Sequence, residues 1–83
     1  MIGDEELARA VADRPHWRPD GDRAAIFEPP GAAVYVKVRR VARPVRASER
    51  YVASTIRDGR AIHILPCGTA QEAVRVAERT KWT

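Results

Sequence analysis

The sequence predicts a small α+β fold. It reads as a four-stranded, mainly antiparallel sheet with an N-terminal and a C-terminal helix packed on one face, in the order α-β-β-β-β-α. Three observations carry this. Asp58-Gly59 is a preferred pair for a two-residue type I′ hairpin turn, and it joins two alternating runs. Val34, Val36 and Val38 alternate with Tyr35, Lys37 and Arg39, a clean period of two. Thr69-Ala70-Gln71-Glu72 forms a capping box, opening a run whose Ala70, Ala73, Val74 and Ala77 fall on one helical stripe.

Taken in order, Asp4 caps a first helix over about Glu5 to Arg14, with Asp4, Glu5 and Glu6 at its positive end. Leu7, Ala10 and Val11 give it a narrow apolar stripe, and Pro15 stops it. His16 to Asp22 is a turn-rich connection around Pro19-Asp20-Gly21, with Trp17 expected as a lid over the core edge. Arg23 to Glu28 reads as a short strand, Pro29-Pro30-Gly31 reverses the chain, and Ala32 to Val41 is the longest strand. Arg40 to Arg50 is a basic connection in which Pro44 argues against an inner strand. The hairpin strands centre on Val52-Ile56 and Ile62-Ile64, and Trp82 is expected to fold back or fray.

Residues 1–83 are one domain with a thin core, since a chain this short buries only about 60–65% of its unfolded surface. One cysteine excludes an intramolecular disulfide and points to a reducing, cytoplasmic compartment. The acidic start lacks the apolar segment of a secretory signal, and no apolar run approaches the ~20 residues that span a bilayer. The net charge is +4, unevenly spread: residues 1–31 carry −3, residues 32–60 carry +6 and residues 61–83 carry +1. Such asymmetry points to an anionic partner facing the middle of the chain. Thirteen of the fifteen basic residues are Arg, a bias that a GC-rich genome also produces.

If the alternating Val and Ile residues point inward, the open sheet face presents Tyr35, Lys37, Arg39, Tyr51, Thr55, Arg57 and His63. Beside it lies the Arg-rich connection. Rings for base faces and cations for phosphates are what single-stranded nucleic acid requires, and a basic hairpin also suits a DNA groove. The expected contact set is Tyr35, Lys37, Arg39, Arg40, Arg43, Arg46, Arg50, Tyr51, Arg57 and Arg60, with Tyr35 and Tyr51 stacking. A solvated sheet face carries the same residue types without any ligand.

No Gly-rich phosphate loop, metal-ligand spacing or cofactor motif is present. Cys67 precedes a helix start with His63 nearby, the one arrangement that raises nucleophilic chemistry. It lacks any substrate or oxyanion element, so no enzyme, metal site or cofactor is predicted. Asp58-Gly59-Arg60 followed by Thr69-Ala70-Gln71-Glu72-Ala73 resembles, in outline, the AP2-like arm-type DNA-binding modules of phage integrases. The run covers about a third of the chain, any hairpin-to-helix junction favours those residues, and the module's Trp and dense basic strand are missing. No family is assigned on it.

The sequence therefore favours one reading and leaves an alternative. The favoured reading is a non-enzymatic module engaging nucleic acid through a basic sheet face and Arg-rich connection. The other is a small protein-binding factor, an inhibitor or adaptor of a phage or mobile element. That factor would act on an acidic protein or another partner through an edge strand or helix surface, as monomer or homodimer. No membrane association is expected.

Overall fold

A computed structural model of the chain describes residues 2–79. It is the predicted α+β arrangement with one strand more. The elements are α1 (Glu5–Val11), β1 (Trp17–Pro19), β2 (Ala24–Phe27), β3 (Tyr35–Arg40), a 3-10 turn (Ala47–Glu49), β4 (Tyr51–Arg57), β5 (Arg60–Cys67) and α2 (Ala70–Arg79). The five strands form one antiparallel meander in chain order. The unpredicted strand, β1, pairs with β2 across the Pro19-to-Ala24 turn, placing Trp17 opposite Phe27. Its three residues, one of them proline, lie below the length at which alternation can be read. The Trp82 expectation lies outside the described residues.

Both helices cover one face. On α2 the predicted stripe, Ala70, Ala73, Val74 and Ala77, is wholly buried. On α1 Leu7 is buried, while Ala10 and Val11 pack partly against the core. The helix ends earlier than expected, because Ala12 takes an extended ψ of 136° and Asp13 a φ of 60°. Asp4 caps α1 by accepting from the Leu7 N–H (3.3 Å), and Thr69 Oγ1 accepts from the Glu72 N–H (3.1 Å). Asp58 and Gly59 both have positive φ, 51° and 79°, as a type I′ turn demands. Trp17 packs on Phe27 with ring centroids 5.1 Å apart, and its Nε1–H donates to Glu78 Oε2 on α2 (2.9 Å). It is the expected lid.

The face assignment holds in β3 and is inverted in the hairpin. Val36 and Val38 face the helices, paired across the sheet with Thr55 and Ala53. That register puts Tyr51, Ala53 and Thr55 inside, and Val52, Ser54 and Ile56 on the open face. In β5 the same pairing turns His63, Leu65 and Cys67 toward the helix side, and Ile64 away from it. The physical reason is twofold. The Tyr51 hydroxyl finds a buried acceptor in Asp4, which rewards burying the ring. The stripe of three alanines and one valine brings α2 close to the sheet, and Ala53 and Thr55 beneath it are smaller than Ile or Val. A register irregularity at Thr55/Ile56 leaves Ile62 as an extra residue in β5, so Ala61 and Ile62 together oppose Ile56.

Candidate interaction surface

The ten residues expected to form one basic, aromatic face do not form one. Tyr51 is fully buried (0% exposed), so its ring has no open face for a base. Its hydroxyl lies 3.1 and 3.0 Å from the two Asp4 carboxylate oxygens. The Arg40 and Arg50 guanidinium carbons lie over the Tyr51 ring at 5.9 and 5.7 Å. Arg40 also pairs with Asp4 (3.2 Å), while Arg50 pairs with Glu6 (2.8 Å) and donates to the Gly68 carbonyl (3.5 Å). Lys37 is on the open face and pairs with Asp20 (2.8 Å).

The remaining residues divide between the two ends of the sheet. Arg39, Arg43 and Arg46 are exposed at the end that carries the β3–β4 connection. Tyr35 shares the open face with Arg39, four residues along β3 and about 13 Å away, while Arg57 and Arg60 lie at the hairpin end, about 20 Å from the connection along the seven-residue β4. Among the described residues, no ion pair engages Arg39, Arg43, Arg46, Arg57 or Arg60.

The carboxylates at the N-terminus behave as structural groups. Burial alone would raise the Asp4 pKa, but the Leu7 N–H, the Tyr51 hydroxyl and Arg40 outweigh it and hold the carboxyl below its ordinary value. Glu6 is also held low, chiefly by the α2 amide of Ala70, which donates to it at 2.8 Å, and further by Arg50. Burial, with the hydrogen bond to Asp4 second, pushes Tyr51 up to about 12.

On the open face Ile26 and Val52 are themselves buried among Tyr35, Lys37, Ser54 and Arg39, Ile56 is half-buried, and the exposed apolar surface lies in β5. Ile62 and Ile64 are 57% and 59% exposed, an arrangement the alternation of Val and Ile did not foretell. A signal was present: β5 carries large apolar residues at both parities, Ile64 and Leu65, and a strand with two apolar faces must expose one unless both are covered.

The sheet ends in unequal edges. β1 is three residues long and carries Arg18 and Pro19, ordinary protection against strand pairing. β5 runs eight residues, has no charged side chain from Ala61 to Cys67, and among the described residues pairs on one side only.

Cys67 is buried, and burial, with the Glu72 charge second, pushes its thiol pKa up. His63 lies four positions earlier on the same strand, about 13 Å away. The two do not form a nucleophile–base pair. Among the described residues no group of three or more metal-ligating side chains gathers, and no helix is long and apolar enough to cross a membrane. No family model, no curated protein and no solved structure matches the chain.

Proposed function

We propose that the chain is a protein-binding module which accepts an extended segment along the free edge of β5. The exposed Ile62 and Ile64 on the open face of β5 seat the partner's side chains. The observation that carries this reading is the edge itself: eight residues, uncharged from Ala61 to Cys67, with Ile62 and Ile64 exposed. Main-chain groups on such an edge bind any extended strand, and the side-chain pockets beside it choose among them. Natural edges of this length usually carry charge or cover, so an uncovered apolar one marks a place where something docks.

The test places a photo-crosslinking residue at Ile62 and, separately, at Arg75 on the exposed side of α2, each in the native host. Crosslinks to a discrete species from position 62 and none from position 75 support the reading. Equal crosslinking from both, or none from either, overturns it.

A second reading is favoured by one specific observation. Arg39, Arg43 and Arg46 are exposed, close in the chain and free of ion pairs among the described residues, so that end of the molecule suits a phosphate backbone. Three neutralised phosphates give a log–log salt slope near −3 for duplex DNA, about −0.9 per phosphate. Fluorescence anisotropy with labelled duplex and single strands at about 50 and 200 mM salt decides it. A slope of that size, abolished by replacing the three arginines together, favours nucleic acid; no binding at the lower salt removes the reading.

A further inference from the structure

Resting on the strand-addition reading, we infer that the segment β5 accepts is β5 of a second copy, the two strands running antiparallel about a two-fold axis near Ile64. The sequence of the edge is self-complementary in this sense. An isologous contact sets each residue against its mirror position in the strand. With the axis at Ile64, Ile64 meets Ile64, His63 meets Leu65 and Ile62 meets Pro66. Every pair from Ala61 to Cys67 is uncharged, so no like charges are brought together. The two exposed isoleucines of each copy then lie in one apolar strip crossing the junction on the open face. Pro66, which has no N–H to offer, sits toward the end of the pairing, where its loss matters least.

Charge selects this partner over an arbitrary strand. Arg60 opens β5 and pairs with Arg57, and that parity places it on the helix side of the sheet. The antiparallel register sets it opposite Gly68 of the second copy. Glu72 lies there, beside the 3-10 turn: its Oε2 is 3.9 Å from where a Cβ on Gly68 would sit, with Ala47 O and Ser48 Cα at 3.4 and 3.5 Å on the other side. Among the described residues neither Arg60 nor Glu72 has an ion pair within its own chain. The two-fold generates the Arg60–Glu72 contact twice, once at each end of the paired strands. The opposite, parallel register would separate these charges and is not available to an isologous edge pair.

Sedimentation equilibrium on the purified chain, up to about 1 mM, tests the inference. The expected result is a reversible monomer–dimer equilibrium that I64K abolishes, since it places two ammonium groups face to face on the axis. Ile64 is solvent-exposed, and retention of the parent circular dichroism and melting curve confirms that the variant folds. R60E and E72R each weaken dimerisation about tenfold, through two lost and two repulsive contacts, and the double variant R60E/E72R restores it.

A chain that stays monomeric at the highest concentration overturns the inference. So does a dimer indifferent to I64K, or one that the double variant fails to rescue. The strand-addition reading fails separately. If the chain is monomeric yet position 62 crosslinks to a different protein, only the self-pairing is wrong. If it is monomeric and position 62 captures nothing, both are wrong.

Discussion

Asp4 does several jobs with one carboxylate. It caps α1, accepts from the buried Tyr51 hydroxyl and pairs with Arg40, tying the chain start to β3 and β4. Tyr51→Phe removes only the hydroxyl, so the carboxylate keeps its two other partners. The expected loss is about 1–2 kcal/mol, close to one charge-assisted hydrogen bond. Asp4→Ala removes the cap and strands the hydroxyl, and about 2–4 kcal/mol follows. Chemical denaturation midpoints at constant slope measure both, and a larger loss from Tyr51→Phe than from Asp4→Ala contradicts the assignment. The same node sets an acid dependence. Asp4 and Glu6 have folded pKa values below their ordinary ones. At a given acidic pH the unfolded chain therefore holds more protons, so stability rises with pH there. Their contribution is complete above the unfolded values near 4 and is lost as pH falls through the lower folded values. Denaturation at pH 7, 5 and 3 should show a plateau and then a fall. Asp4→Asn with Glu6→Gln should flatten that fall at the cost of a lower plateau.

The elements show where a sequence reading succeeds and where it stops. Both helix caps, the α2 stripe, the Asp58-Gly59 turn and the faces of β3 were legible, because each is set by local chemistry with one strong answer. The faces of β4 and β5 were not. Alternation says that Tyr51, Ala53 and Thr55 share a side; it does not say which side. The preference for burying Val and Ile gave the wrong one. Two non-local facts decided the matter, the Asp4 acceptor for Tyr51 and the closeness of α2. Ala73→Leu should therefore be costly, about 1–3 kcal/mol, because a large side chain enters a full helix–sheet contact. Ile64→Thr should change the stability of the monomer by no more than about 0.5 kcal/mol, measured at low micromolar protein so that association does not contribute. The opposite ranking would restore the original faces.

At the scale of the whole molecule, the charge asymmetry that pointed to an anionic partner is in good part internal complementarity. Of the eight basic residues between positions 32 and 60, Lys37, Arg40 and Arg50 pair with Asp20, Asp4 and Glu6, all from the acidic first third of the chain. The net +6 of the middle segment thus meets part of the −3 of the start by folding. This is why the candidate site was the least legible feature: the count of charges is a property of the sequence, but their pairing is a property of the fold. The two kinds of arginine should respond differently to removal. Replacing Arg39, Arg43 and Arg46 with alanine removes charges that make no ion pair among the described residues, and each substitution should shift stability by no more than about 0.5 kcal/mol. Replacing Arg40 and Arg50 leaves Asp4 buried with one partner fewer and Glu6 without its cation, so the melting temperature should fall clearly. The fall should be larger at low salt than at high, because the partly exposed pairs are screened. Equal, small effects from both sets would mean that the middle segment's charge faces outward after all, and the phosphate-binding reading would regain the residues it lost.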